Sequence, residues 1–185
     1  MSRAGLVCLA GVSGAGKDTA GLHLQRKYGF ERVALADPLK VVVASLFGIS
    51  HRQLWEDERD QLDSRLGRTP RELYQWFGHA CVEVDPEVWI RPFRATVLEI
   101  IARGGSVVCT DLRTRDELEA VRALGGVAWL IERSGAGAPG TAATHTTETE
   151  LAGAERQLFT CVIRNDGTVE ELQASLDEAL ATASA

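Results

Sequence analysis

Cysteine offers this chain little. Its four cysteines, Cys8, Cys81, Cys109 and Cys161, lie far apart in 185 residues, with no CxxC pair and no Cys/His spacing that suits zinc. A disulfide framework and a structural zinc site are therefore excluded as the basis of the fold. Cys8, Cys109 and Cys161 fall inside apolar runs and read as small buried hydrophobes in a reducing compartment. Positive charge is also short: 20 Lys and Arg face 26 Asp and Glu, a net charge of -6. That argues against a nucleic-acid binder relying on bulk charge, while leaving room for a local basic pocket. No apolar run approaches the roughly 20 residues needed to span a bilayer. The short apolar run near the N-terminus leads straight into a glycine-rich loop, so it reads as a strand and not as a signal peptide. No internal repeat and no second domain is visible, and a cytoplasmic protein is expected.

What the chain has in quantity is alternation. "LVCLA" (6–10) is a continuous apolar run of the kind a strand buried on both faces requires. A helix-compatible stretch follows at 17–28 and stops at Gly29. "FERVALA" (30–36), "SVVCTD" (106–111), "VAWLIE" (127–132) and "LFTCVIRND" (158–166) supply four more strands. Between them lie helical patterns. One begins at Asp37, an expected N-cap, with Pro38 in the first helical position. Another begins at Thr69, with Pro70 and Glu72 completing a capping box; a third begins at Thr114 with Glu117; a last amphipathic helix closes the chain. Pro92, inside the helical stretch 85–105, demands a kink or a fresh helix start. Strands alternating with helices predict a three-layer α/β/α fold with about five mostly parallel strands. In such a sheet the carboxyl ends of the strands line one edge, where sites form; Gly11, Asp111, Arg133 and Asn165 all follow strand ends.

The loop after the first strand carries the strongest chemical signal. "GVSGAGKDT" has Gly11, four residues, then Gly16 and Lys17. Glycines let the backbone wrap a phosphate with its N–H groups inward, and the helix N-terminus adds positive potential. Gly11, Val12, Ser13, Gly14, Ala15, Gly16, Lys17, Asp18 and Thr19 are accordingly the candidate ATP cradle, with Lys17 reaching the β and γ phosphates. The position after this lysine normally bears a hydroxyl that sits on Mg²⁺; here it is Asp18. Thr19 cannot replace that hydroxyl, because one helical step turns a side chain by about 100°. Asp18 then either holds Mg²⁺, directly or through water, or orients the acceptor, or places negative charge on the helix N-terminus.

"VVCTDLR" delivers Asp111 to the same edge as a second candidate for metal-bound water or a proton, with Arg113 able to clamp a phosphate; a helix-capping Asp beside a surface Arg is the plainer alternative. "ALADPLK" places Asp37 and Lys40 at a helix start suited to a phosphoryl acceptor, or Asp37 is an N-cap and nothing more. "RLGRTPRELYQWFG" offers Arg65, Arg68 and Arg71 with Tyr74, Trp76 and Phe77, which either grip and stack a nucleotide or form a basic face over a core-facing aromatic stripe. Arg133 opens a Gly/Ala/Thr-rich loop over 133–150, containing His145, Thr146 and Glu148, which reads as a lid or as a connector. Asn165, Asp166 and Gly167 either frame the adenine of ATP or turn the chain into its last helix.

These segments, in this order, resemble the phage-type deoxynucleoside monophosphate kinases, a P-loop branch similar to adenylate kinase whose loop is of the GKD type. The matching pieces are "GVSGAGKDT", "LADPLK", "RTPRELYQWFG" with "DPEVW", "VVCTDLRTRDELEAVRALGG", "HTTETEL" and "VIRNDGTVEEL", covering most of the chain. Residues 50–66 match no motif, and the highly charged run "HRQLWEDERDQLDSRL" (51–66) reads as a solvent-facing helix or an irregular arm. The resemblance implies one P-loop kinase domain: a core of 1–35, 104–133 and 158–185, a helical acceptor-binding insertion over 36–103 and a lid over 133–150. It implies transfer of the ATP γ-phosphate to a deoxynucleoside 5′-monophosphate. Lys17, Asp18, Asp111, Arg113 and Arg133 would be catalytic, with Asp18 and Asp111 the metal candidates. Asp37, Lys40, Arg68, Arg71, Trp76 and Arg113 would bind the acceptor. ATP and Mg²⁺ are the expected cofactors, and the partners are small molecules, without nucleic acid or membrane. The resemblance allows a homodimer, and the host's cytoplasm as the setting if the chain is viral. Two other readings stand beside it: a GKD-type kinase of another phosphorylated acceptor, such as phosphomevalonate or dephospho-coenzyme A, and an ATP-binding module that transfers nothing.

Overall fold

A computed structural model describes residues 5–137, 151 and 156–183. Five strands form one sheet: β1 (Leu6–Ala10), β2 (Glu31–Arg32), β3 (Val107–Cys109), β4 (Val127–Glu132) and β5 (Cys161–Arg164). Their order is β2-β3-β1-β4-β5, and every pairing is parallel. Seven helices accompany them among the described residues: α1 (Lys17–Tyr28), α2 (Asp37–Phe47), α3 (His51–Trp55), α4 (Pro70–Val84), α5 (Ile90–Ala102), α6 (Arg115–Ala123) and α7 (Val169–Ala183). The architecture is a three-layer α/β fold with a five-stranded parallel sheet.

All five β1 residues are buried, because helices cover both faces of the sheet. Val7, Leu9, Val108, Trp129, Ile131 and Ile163 point to one face, where Leu24 of α1 and Leu172 and Leu176 of α7 close the core. The alternate β1 residues, Leu6, Cys8 and Ala10, are buried on the opposite side, where Val121 of α6 lies near Leu6 beside Gly126. This period-two division explains why the central strand reads as one unbroken apolar run.

The chain divides into two compact units, one of Met1–Ala34 with Arg94–Ala185, the other of Leu35–Phe93. The second unit has its own core of Leu39, Val43, Ile49, Leu54, Leu73 and Tyr74. Three details differ from the sequence expectation. The strand expected over 30–36 shrinks to Glu31–Arg32 at the sheet edge, after which the chain turns into α2. Asp37 does not cap α2: Ala36 holds the N-cap position, Asp37 is the first helical residue, and its carboxylate accepts a bond from the Trp55 indole N–H at 3.1 Å. The charged stretch after residue 50 is neither one solvent-facing helix nor an irregular arm throughout. A short helix, α3, is capped by Ser50 with Gln53 and buries Leu54 completely, and turns follow it. Pro92 makes the fresh start that its ring requires, in the first turn of α5, where a missing N–H leaves no intrahelical bond unmade.

Candidate active site

The loop between β1 and α1 is shaped by its glycines. Gly11 has φ 142° and a Cβ there would stand 2.4 Å from the Ile131 carbonyl oxygen; Gly16 has φ 106° and a Cβ would stand 2.4 Å from the Asn165 amide nitrogen. No L side chain is accommodated at either point. Gly16 is also the N-cap of α1 and provides no side-chain cap. Among the described residues four other helices or helix starts are closed by capping boxes: Ser50–Gln53, Thr69–Glu72, Thr114–Glu117 and Thr168–Glu171. The first amides of α1 instead face the loop, where helix dipole and N–H groups together attract an anion. The Lys17 ammonium lies in the curl of the loop, donating to the carbonyls of Gly11 at 2.7 Å and Val12 at 2.9 Å. A positive charge is thus held within the glycine loop.

Asp18 does not stand alone. Its Oδ1 accepts a bond from the Thr110 hydroxyl at 3.2 Å, and Thr110 is buried at the end of β3, directly before Asp111. The structure therefore joins Asp18 to the segment bearing Asp111. Gly21 explains how closely α1 approaches this point: a Cβ at Gly21 would meet the Thr110 methyl at 2.5 Å. A glycine in mid-helix costs about 1 kcal/mol against alanine, and here the close approach requires it. Gly21 and Thr110 were missed in the sequence, although a glycine interrupting an otherwise regular helical stretch is the signal that could have found them. Asp111 accepts the Cys109 thiol at 3.1 Å. Cys109 sits in register beside Cys8 on β1, both fully buried, and the neighbouring thiol, together with burial, raises the Cys109 pKa well above its ordinary value.

Asn165 turns inward. Its amide donates to the Ala15 carbonyl at 2.8 Å and supports the phosphate loop from behind. Asp166 accepts the Ser134 backbone N–H at 2.7 Å, which ties the turn after β5 to the residue following Arg133 and lowers the Asp166 pKa. Arg133 itself is exposed at the end of β4. Residues 138–150, including His145, Thr146 and Glu148, lie outside the described residues. After Arg113, Glu117 accepts two consecutive backbone N–H groups, from Arg113 at 2.7 Å and Thr114 at 3.0 Å. Burial pushes its carboxyl up to about 7, with Asp111 adding to the rise and the two amides opposing it.

The second unit holds the other candidates. Lys40 places its ammonium over the rings of Trp55 (5.6 Å) and Tyr74 (5.9 Å). Asp37 and Lys40 thereby meet on Trp55, a residue of the stretch that matched no motif. Arg71 makes a two-point pair with Asp60, the Nη2–Oδ2 bond measuring 3.1 Å. The Arg68 carbonyl accepts the Asp63 backbone N–H, and Arg65 pairs with Asp63, holding that carboxyl down at about 2. Among the aromatics the core-facing reading holds for Tyr74, which is buried, and for Phe77, packed edge-on against Phe47; Trp76 is 55% exposed.

The glycine-shaped loop thus lies at the carboxyl edge of a parallel sheet, with the Lys17 ammonium in its curl and Asp18 beside it. The profile of the family described as deoxynucleotide monophosphate kinase matches residues 59–176, and the chain belongs to that family. A protein of Acanthamoeba polyphaga mimivirus, provisionally described as a deoxynucleotide monophosphate kinase, is 28% identical over 187 residues, covering 92% of this chain and 93% of its own length. Among solved structures, a provisionally described kinase of Chloroflexus aurantiacus superposes with a TM-score of 0.55 at 15% identity over 99% of each chain. A dephospho-CoA kinase of Campylobacter jejuni superposes with a TM-score of 0.52 at 9% identity over 97% of each chain. At those identities the structural likeness speaks for the fold.

Proposed function

We propose that this kinase transfers the γ-phosphate of ATP to the 5′-phosphate of a deoxynucleoside monophosphate in a Mg²⁺-dependent reaction. The observation that carries the reading is the Lys17 ammonium seated in the glycine loop, in a chain whose residues 59–176 match the family. An acceptor phosphate oxygen bonds to the γ-phosphorus, the bond from that phosphorus to the bridging β–γ oxygen breaks, and ADP leaves with the electron pair. The nucleophile is already an oxyanion, so no strong general base is needed, and catalysis is positioning with charge neutralisation. Lys17 and the α1 amides would hold the donor phosphates. Arg113, Arg68 and Arg71 would take the acceptor phosphate, Asp37, Lys40 and Trp76 the rest of the acceptor, and exposed Arg133 would add a cation from the end of β4.

The donor set suits magnesium. Among the described residues no group of three or more His, Cys, Asp or Glu could hold a metal by itself. Mg²⁺ is commonly held by one or two carboxylates together with substrate phosphates, and Asp18 and Asp111 offer that. When bound, it would neutralise charge on the β and γ oxygens. Thr110 would keep Asp18 oriented toward it. The reading includes small-molecule partners without nucleic acid or membrane, and a cytoplasmic setting, a host's if the chain is viral; among the described residues no helix is long and apolar enough to cross a membrane. A coupled assay for ADP tests it, with ATP, a panel of deoxynucleoside monophosphates, phosphomevalonate and dephospho-coenzyme A, each with and without Mg²⁺. Turnover with at least one deoxynucleoside monophosphate, dependent on metal, is expected. ADP release no faster than with ATP alone would refute the reading.

A further inference from the structure

We propose that Glu117 is a positioning residue for the acceptor-phosphate clamp, fixing the Arg113 peptide so that its guanidinium is presented from a rigid backbone. This rests on the reading of Arg113 as an acceptor ligand. Three observations carry it. The first is the double bond pattern: a single oxygen, Oε2 of Glu117, accepts from Arg113 N at 2.7 Å and Thr114 N at 3.0 Å. An ordinary capping box needs the second of these alone. In the boxes of Thr69 and Thr168 the glutamate meets the N-cap amide. Glu117 therefore does more than close α6; it reaches back one residue to the peptide that bears the candidate clamp.

The second observation is on the other side of that peptide. The Arg113 carbonyl accepts the backbone N–H of Leu151 at 3.3 Å, and Leu151 is 1% exposed. Arg113 is thus held through its N–H by Glu117 and through its carbonyl by Leu151. The third is the environment. Glu72, in the box of α4, is solvated and its pKa is lowered by the Thr69 amide, whereas the Glu117 carboxyl is desolvated. A half-buried carboxylate is a costlier way to cap a helix than a solvated one. Two adjacent half-buried amides, both satisfied by one oxygen, give it a reason.

The test compares Glu117→Ala, Glu117→Gln and Arg113→Ala, alone and combined, in the coupled assay. Glutamine keeps an oxygen that can accept both amides, so it should restore what alanine loses. Glu117→Ala is expected to raise the acceptor KM about tenfold and leave the ATP KM within about twofold, the pattern of a misplaced substrate-positioning group. In the Arg113→Ala background it should add nothing further, because its effect passes through Arg113. Amide hydrogen exchange on the same proteins should show Arg113 and Thr114 protected in the wild type and in Glu117→Gln, and unprotected in Glu117→Ala. The proposal is overturned if both KM values rise together, if the effects of Glu117→Ala and Arg113→Ala add in full, or if glutamine behaves as alanine does. Should Glu117→Ala not fold, Glu117→Asp, one methylene too short to reach both amides, takes its place with the same expected split. A wild type that turns over no deoxynucleoside monophosphate would refute the function read above; the exchange at these two amides would still decide what Glu117 does.

Discussion

The two units build their candidate residues by different means. In the sheet-bearing unit the candidates are held largely through backbone: Lys17 donates to two carbonyls of the glycine loop, Asn165 to a third, and Glu117 receives the amides of Arg113 and Thr114. In the helical unit of Leu35–Phe93 the candidates are held through one another's side chains. Asp37 is engaged by Trp55, Arg71 by Asp60, and Lys40 lies over two rings. A backbone cradle presents the same donors to any polyphosphate. Side-chain pairs must be exchanged or reoriented when an anion arrives, and they change with sequence more readily than a loop geometry does. The first construction suits a donor shared by many kinases, the second an acceptor that must be told from its relatives.

Breaking the backbone-held site should have the largest effect. Lys17→Ala is expected to lower kcat by about 10²–10³-fold, roughly 3–4 kcal/mol of transition-state stabilisation; a variant with near-normal turnover in the ADP assay would remove the lysine from the chemistry. Next comes the helical unit's own core. Leu54 is fully buried, and Leu54→Ala should cost about 2–5 kcal/mol by thermal or denaturant unfolding. If the contrast between the units is sound, ATP binding by calorimetry survives this change while acceptor turnover falls. Simultaneous loss of both would show that the units do not separate donor from acceptor. Gly21→Ala is subtler. A new methyl 2.5 Å from the Thr110 methyl must displace Thr110 and disturb its bond to Asp18. The Mg²⁺ concentration for half-maximal rate should rise severalfold with little change in melting temperature, since added helix propensity of about 1 kcal/mol partly offsets the clash. An unchanged metal requirement would detach Asp18 from the metal.

The smallest effects are in pH. Asp177 in α7 accepts from His23, Lys27 and Tyr28 of α1; although burial alone would raise its pKa, these bonds hold it at about 2, against 3.8 for the free side chain. Asp63 in the helical unit is held equally low by Arg65. Between those values the unfolded chain binds more protons than the folded one. The stabilisation from both is therefore present above pH 3.8 and lost as pH falls toward 2. Glu117 has the opposite sign. Its folded value of about 7 lies above 4.5, so the folded chain binds the extra proton, and stability declines as pH rises through that window. Unfolding curves of Asp177→Asn and Glu117→Gln should flatten at opposite ends of the pH profile; matching profiles would contradict both assignments.

Much of the sheet-bearing unit was legible because its constraints are local. A buried parallel strand reads as an apolar run, a Gly-rich turn with lysine reads as a phosphate loop, and Thr69–Glu72 and Thr114–Glu117 announced their helices three residues apart. What stayed hidden depends on distant pairs. Trp55 meets Asp37 across 18 residues, Arg71 meets Asp60 across 11, and Thr110 meets Asp18 across 92. Asp37 looked like a cap, since an acid before Pro38 commonly is one; the carboxylate bonds Trp55 and Ala36 begins the helix. The strand at 30–36 was overestimated because Ala34 and Leu35 are buried in a turn, and burial alone does not distinguish strand from turn.

The paired thiols of Cys8 and Cys109 have a practical corollary. They stand side by side at the centre of the sheet, sealed from solvent, while Cys81 and Cys161 are partly accessible. An alkylating reagent should therefore count two sulfurs promptly and two late, the late pair at the rate at which β1 and β3 part. The protein carries its own clock for breathing beneath the proposed nucleotide cradle, one that a bound nucleotide should slow without any dye or tag.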